Sequence, residues 1–270
     1  MPVTDAEIPL ADLADRLETA VREAGALALS KFGSPIRNWI KGKNSPVCEA
    51  DIEADQLLHD RLMRAAPGYG WLSEESADDP ARLDARRVWV VDPIDGTRGF
   101  IAGRHDWAIS AALVEDGRPI IAALFAPVTD DLYLATKGEG AARNGQRLRV
   151  HDGPALDGAR LAGPPRRLER LAALVPGVVP LPKIFSLALR IAGVANGTLD
   201  AAFAGPDSHD WDLAAADLLV HEAGGALTSF DGQPPIYNKP IPVHGALIAA
   251  GPARHAFLMS IVRDRRADFA

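Results

Sequence analysis

A chain of 270 residues with 47% hydrophobic and 24% charged residues has the composition of a folded globular protein, which excludes a disordered or fibrous chain. Its formal charge of −7 argues against a nucleic-acid partner, because such proteins cluster Lys and Arg to displace counterions from phosphates. Small phosphorylated substrates stay open, provided that carboxylates first collect divalent cations that present positive charge to the phosphate.

No apolar run approaches the roughly 20 residues needed to span a bilayer, so no membrane partner is expected. The acidic, amphipathic start MPVTDAEIPLADLADRL lacks the basic-then-apolar order of a secretory signal. The single cysteine, Cys48, cannot form an internal disulfide. Together these point to a cytoplasmic protein. The length allows one large α/β domain or two closely packed halves, divided at 1–150 and 151–270.

In chain order, apolar positions at Ile8, Leu13, Leu17, Val21, Ala24 and Leu27 predict an amphipathic helix over residues 6 to 32, ended by Gly33 and Pro35. DIEADQLLHDRLMRA repeats the pattern over 51 to 65, with Asp51 placed as an N-cap. WLSEES follows, then an Asp/Pro-rich loop, then VWVVD, a short β-branched run that reads as a buried strand ending on Asp92. WAISAALVEDGRPIIAALFAP has two β-prone runs around Glu-Asp-Gly-Arg and predicts a hairpin. DLYLAT adds a strand. Residues 151 to 182 have weak periodicity, with room for a short strand and a helix. SLALRIAGVAN (186 to 196) and WDLAAADLLVHEAG (211 to 224) read as helices on either side of the strand LDAAFAG.

The segment VWVVDPIDGT carries the clearest chemistry. Asp92 and Asp95 sit three residues apart at the mouth of a buried strand, where both can face one cation, and Ile94 can add its carbonyl; hard cations such as Mg²⁺ want oxygen ligands of this kind. Gly96 allows close backbone approach to an anion, and Thr97 offers a hydroxyl and an amide, on a helix N-terminus if one begins there. A plain capped turn would use the same residues. Glu74 and Glu75 are adjacent, so in an extended segment one points inward while the other stays solvated; alone they would be a surface pair. Asp212 opens an apolar helix, where an ordinary cap is the default.

The order Glu-Glu-Ser, then Asp-Pro-Ile-Asp-Gly-Thr, then Trp-Asp before a helix and Glu-Ala-Gly-Gly resembles the inositol monophosphatase-like family. The likeness runs from about Lys41 through Gly225, and the ARNG turn at 142 to 145 belongs to it. The resemblance implies a layered αβαβα sandwich, an α/β (α+β) fold, with most metal ligands in 1–150 and Asp212 and the substrate-selecting residues in 151–270. It implies a metal set of Glu74, Asp92, the Ile94 carbonyl, Asp95 and Asp212 holding two or three Mg²⁺ ions. It assigns catalytic roles to Glu74, Thr97 and Asp51: Thr97 positions or deprotonates the attacking water, and Asp51, within PVCEAD, orients Thr97. It places Asp95, Gly96, Thr97, Arg190 and Asp212 at the substrate, and it implies a homodimer and inhibition by lithium. This chain departs from the family pattern at Ser73, where Gly is usual, and at Cys48, where Thr is usual; a thiol bonds less well than a hydroxyl, which would loosen the support around Asp51.

Inositol-selective members carry a glutamate seven residues before the Trp-Asp aspartate, where this chain has Gly205, and a glycine offers no side-chain acceptor to a sugar hydroxyl. DPIDGTRGFI and Arg190 instead resemble the bisphosphate nucleotidase branch, Arg190 being set to meet a second phosphate; as a bland alternative, Arg98 and Arg190 are solvated surface charges. The expected reaction is hydrolysis of 3′-phosphoadenosine 5′-phosphate to AMP and phosphate. The alternatives are inositol 1-phosphate, sugar or histidinol phosphate, and a non-catalytic binder of phosphorylated metabolites. His105 and His209 receive no role, and Trp71, Trp89, Trp107 and Trp211 are expected in the core.

Overall fold

The computed structural model describes residues 8–42 and 45–265, so the first positions of the first expected helix lie outside the described residues. In the first part of the chain come helix α1 (Leu10–Lys31), the hairpin β1 (Asn38–Lys41) and β2 (Ser45–Cys48), and helix α2 (Glu49–Ala65). Strand β3 (Gly70–Ser73) leads through a 3₁₀ turn (Pro80–Asp84) to β4 (Arg87–Asp95) and the short helix α3 (Thr97–Ile101). Strands β5 (Ala108–Glu115), β6 (Arg118–Ala126), β7 (Asp131–Thr136), β8 (Gly140–Arg143) and β9 (Gln146–Arg147) complete a seven-stranded sheet of order β3-β4-β5-β6-β7-β8-β9. Only β3 and β4 run parallel; the other neighbours are antiparallel.

The second part supplies β10 (Arg160–Ala162), α4 (Pro165–Leu174), β11 (Val179–Pro180), α5 (Leu187–Ala195), β12 (Ala201–Ala204), β13 (Ser208–His209) and α6 (Asp210–Glu222). It ends with β14 (Ala226–Ser229), β15 (Val243–His244), β16 (Leu247–Ala250) and α7 (Pro252–Asp264). A five-stranded sheet has the order β11-β10-β12-β16-β14.

The layers follow from which faces are apolar. Helix α1 buries Leu13, Leu17, Val21, Ala24 and Ala28, a single stripe at helical spacing, against one face of the large sheet. Gly25 on that stripe lets the helix close on the sheet: a Cβ there would stand 2.4 Å from the Phe125 ring. Central strands β5 and β6 are buried on both faces, because α1 and α2 cover one side while α5 and α6 cover the other. The smaller sheet packs on α5 and α6, and its outer side carries α4 and α7 around Leu161, Phe203, Ile248 and Leu258. The result is the αβαβα sandwich. Trp89 and Trp107 are fully buried, each worth about 3 kcal/mol or more if truncated; Trp71 and Trp211 are only half-buried, and Trp211 stacks on His209 at 4.5 Å.

One local expectation holds and two change. The β5–β6 turn is the hairpin foreseen, with Asp116 (φ 48°) and Gly117 (φ 75°) both left-handed as the strand twist demands. Strand β4, however, does not stop at Asp92; it continues to Asp95 through an irregularity in register between those residues. Helix α2 starts before Asp51: Cys48 is the N-cap, and Asp51 lies three residues on, with its carboxylate reaching back.

Candidate active site

Three elements deliver the acidic residues to one place. The bulged end of β4 turns Asp92 and Asp95 toward the same side, β3 ends at Ser73 just before Glu74, and Asp212 stands in the first turn of α6 from the second part of the chain. Oxygens of Asp92, Asp95 and Asp212 all lie within 4.8 Å of one another. They open onto a cleft of about 180 Å³ that is also lined by Glu74, Gly96, Thr97, Arg98, Ser45, Lys183 and Phe185.

This crowding is electrostatically costly. Burial raises the Asp92 carboxyl well above the ordinary carboxylate range, and the charges of Glu74, Asp95 and Asp212 push it further. Asp212 is raised in the same way by burial and by Asp95, as is Glu74 by burial. Asp95 is also raised by burial, but three donors oppose the effect. The Ser186 hydroxyl donates to it, as do the amides of Leu187 at 3.1 Å and Ala188 at 2.7 Å, so the first turn of α5 caps the carboxylate. A set of buried carboxylates with so few cationic partners fits a hard divalent cation, whose charge would remove the repulsion. Asp92, Asp95, Asp212 and Glu74 are the groups that would hold it. The Ile94 carbonyl lies 3.0 Å from Thr97 Oγ1, and with the single hydroxyl proton directed to Asp51 its lone pairs stay available for a cation.

The threonine is held on two sides. Thr97 Oγ1 lies 2.9 Å from Asp51 Oδ1. Asp51 Oδ2 accepts both the Cys48 amide and the Cys48 thiol, each at 2.8 Å. The thiol in place of threonine therefore still supports Asp51, and burial pushes its pKa up to about 12, so it stays a donor. Burial raises Asp51 to about 6, against the pull of the Cys48 and Thr97 hydrogen bonds. Gly96 makes the turn possible: its φ is +97°, and a Cβ would stand 3.1 Å from both the Asp106 carbonyl and the Ser186 amide.

The structure brings Asp51, Glu74, Asp92, Ile94, Asp95, Gly96, Thr97 and Asp212 together. It treats three other expectations differently. Both members of the Glu74–Glu75 pair turn inward: the Glu75 side chain is 2% exposed and Glu74 20%. Lys41 on β1 makes this tolerable, its ammonium lying 2.9 Å from Glu75 and donating to the Glu74 carbonyl at 2.6 Å. Asp212 does serve as a cap, accepting the His209 amide at 2.6 Å, while also facing the cation site. Arg190 is neither a solvated charge nor part of the cleft wall: burial lowers its pKa while the charges of Asp95 and Asp212 act to raise it, and its buried Nε meets no hydrogen-bond partner among the described residues. Lys41, Ser186, Lys183 and Phe185 were missed. Ser186 was visible as an N-cap for SLALRIAGVA, but nothing local shows that it faces Asp95, and the other three become site residues only through long-range packing.

Comparison with known proteins agrees with this geometry. The model of the inositol monophosphatase family matches residues 10–267. The chain is 37% identical over 225 residues to a Rhizobium meliloti (strain 1021) protein named inositol-1-monophosphatase, covering 79% of this chain and 84% of that one. It is 32% identical over 273 residues to a protein of Escherichia coli (strain K12) named Nus factor SuhB, covering 96% and 98%. Among solved structures, extragenic suppressor protein suhB from Bartonella henselae superposes with a TM-score of 0.84 at 28% identity, covering 94% of this chain and 99% of that one. A Thermotoga maritima IMPase gives 0.82 at 26% identity, covering 95% and 100%. With the family model spanning nearly the whole chain, the protein belongs to the inositol monophosphatase family, a family of metal-dependent phosphatases.

Proposed function

We propose that the protein is a Mg²⁺-dependent phosphomonoesterase acting on a small phosphorylated metabolite, with 3′-phosphoadenosine 5′-phosphate as the substrate favoured by its cleft. The observation that carries the phosphatase reading is the convergence of Asp92, Asp95 and Asp212 within 4.8 Å beside Thr97 and Asp51. Two or three Mg²⁺ ions bound there would neutralise phosphoryl oxygens, acidify water and stabilise the leaving alkoxide.

The chain's own residues do the rest. Gly96 and Thr97 line the cleft and present backbone to the phosphate. The Thr97 hydroxyl passes its proton toward Asp51 Oδ1, which frees the threonine oxygen to accept a proton from the attacking water. Asp51 needs its carboxylate form for this, and the Cys48 amide and thiol hold its other oxygen in place. Glu74, braced through Ser45 at 3.2 Å and the Lys41 contact with its carbonyl, lines the cleft and would share in holding the cation that acidifies the attacking water. The charge of Arg190 offsets part of that of Asp95 and Asp212.

The nucleotide choice is supported by Arg98, which follows Thr97 and lines the cleft, and by Gly205, which offers no side-chain acceptor for a sugar hydroxyl at the position seven residues before Asp212. Inositol 1-phosphate is the second reading, supported by the names of relatives such as the Rhizobium meliloti protein. Among the described residues no helix is long and apolar enough to cross a membrane, and a homodimer is part of the same proposal, testable by light scattering. Phosphate release from the two substrates, measured in parallel with Mg²⁺, discriminates the readings: a higher kcat/KM for the nucleotide supports the first, and a higher value for inositol 1-phosphate replaces it with the second.

A further inference from the structure

The metal cleft does not end at its acidic floor. One wall is shared with a second, larger groove of about 750 Å³, and the residue that lines both is Lys183. This lysine is exposed and lies on the segment between β11 and α5. Among the described residues it has no carboxylate within ion-pair distance; its ammonium rests 4.5 Å from the centre of the Phe185 ring. Phe185 in turn is fixed by its amide, which donates to Asp106 at 2.7 Å, and by close contact with Gly99, where a Cβ would meet it at 2.9 Å. The lysine therefore rides on a rigid aromatic platform at the threshold, with its charge unspent. Beyond it the groove carries Arg104 and Arg143, ion-paired with Asp106 and Asp131, alongside His105 and Tyr133.

A phosphate seated over the carboxylate-bound cations must direct its alcohol away from the acidic floor, and Lys183 stands where the cleft opens into the larger groove. An ammonium on a flexible stem is a point-charge partner for a second phosphate. Arg190, the cation expected there from sequence, lines neither the cleft nor the larger groove. We propose that Lys183 is the specificity-determining residue of this enzyme, selecting substrates whose alcohol leaving group carries a second phosphate and extends into the larger groove. This rests on the phosphomonoesterase reading above and assigns its substrate class to a residue.

The test uses two matched pairs in the full-length Mg²⁺-loaded protein: 3′-phosphoadenosine 5′-phosphate against adenosine 3′-phosphate, and fructose 1,6-bisphosphate against fructose 1-phosphate. The quantity read is the ratio of kcat/KM within each pair, for wild type, Lys183→Met, Lys183→Glu and Lys183→Arg, with folding checked by circular dichroism. The expected result is a wild-type preference for the bisphosphate in at least one pair. That preference falls about tenfold or more in Lys183→Met, the scale of a lost charge-assisted contact, falls further in Lys183→Glu and is largely restored in Lys183→Arg. Rising salt should erode the wild-type ratio but not that of Lys183→Met. A wild-type ratio near one in both pairs, or a ratio that the substitutions leave alone, overturns the inference while phosphate release itself upholds the phosphatase reading. A Lys183-dependent ratio with the fructose pair alone keeps the inference and removes the nucleotide as substrate.

Discussion

Thr97 Oγ1 and Asp51 Oδ1 are 2.9 Å apart, and they join the start of α3 to the first turn of α2 across 46 residues of sequence. Because the carboxylate must be ionised to draw the threonine proton, activity should fall as pH drops through the Asp51 pKa, about 6 in the metal-free protein. Bound cations lower that limb by favouring the charged form. Asp51→Asn should lose the limb together with roughly 100-fold or more in kcat, and Thr97→Val should lose comparable activity. Cys48→Thr, which offers a better donor to Asp51 Oδ2, should shift the acid limb to lower pH. A pH profile of kcat for the four proteins checks this; an acid limb retained in Asp51→Asn contradicts the assignment.

The Asp92 carboxylate should cost the metal-free protein stability. Its folded pKa is raised, so the stability it contributes is present at low pH and lost as pH rises through that pKa. At neutral pH, Asp92→Asn should unfold at a higher temperature than wild type without Mg²⁺. Wild type should gain stability as Mg²⁺ is added, by about 2.7 kcal/mol at 100 times Kd, and the variant should gain much less. Thermal unfolding across a Mg²⁺ titration measures both.

Gly96 is required twice, by its φ of +97° and by the 3.1 Å approach of the Asp106 carbonyl and Ser186 amide. Gly96→Ala should cost about 1–3 kcal/mol of stability and lower kcat beyond what unfolding explains, since the displaced turn carries Thr97. Urea unfolding alongside kcat separates the two effects; a variant with wild-type values for both would show that the turn has slack.

Asp217, on the same helix as Asp212, accepts a hydrogen bond from Tyr237 at 2.9 Å, and burial raises it to about 7. Below about pH 4 both folded and unfolded carboxyls are protonated. Between about 4 and about 7 only the folded one holds its proton, so stability falls with rising pH at about 1.4 kcal/mol per pH unit from this group. Asp217→Asn keeps an acceptor for Tyr237 and removes that slope, so it should exceed wild type in stability at pH 8 and lose the advantage toward pH 5. Urea unfolding at several pH values checks it; a pH-independent difference between the two proteins would contradict it.

How much of this was readable depended on whether the signal was local. The β5–β6 hairpin was legible because two buried strands flank a turn that needs left-handed residues, and Asp116-Gly117 supplies them. The helix stripe of α1 was legible from spacing. The ends of β4 and α2 were misplaced because each is set by a tertiary contact: β4 runs on through its bulge by pairing Asp95 with Ala108, and α2 starts early because Asp51 folds back on Cys48. The acids of the site were legible once their order along the chain was taken together with the family likeness, since each segment alone had an ordinary explanation. Lys41 against Glu75, and Ser186 against Asp95, join residues 34 and 91 positions apart, and no pattern within a segment reveals such pairs.

The most direct test of the central claim is phosphate release from 3′-phosphoadenosine 5′-phosphate, inositol 1-phosphate and a sugar phosphate as Mg²⁺ is titrated, with wild type beside Asp92→Asn. Saturable, Mg²⁺-dependent release in wild type from at least one of them, lost in the folded variant, is the result predicted. Release that persists after chelation, or that survives unchanged in Asp92→Asn, would contradict a reaction run from the Asp92, Asp95 and Asp212 cluster.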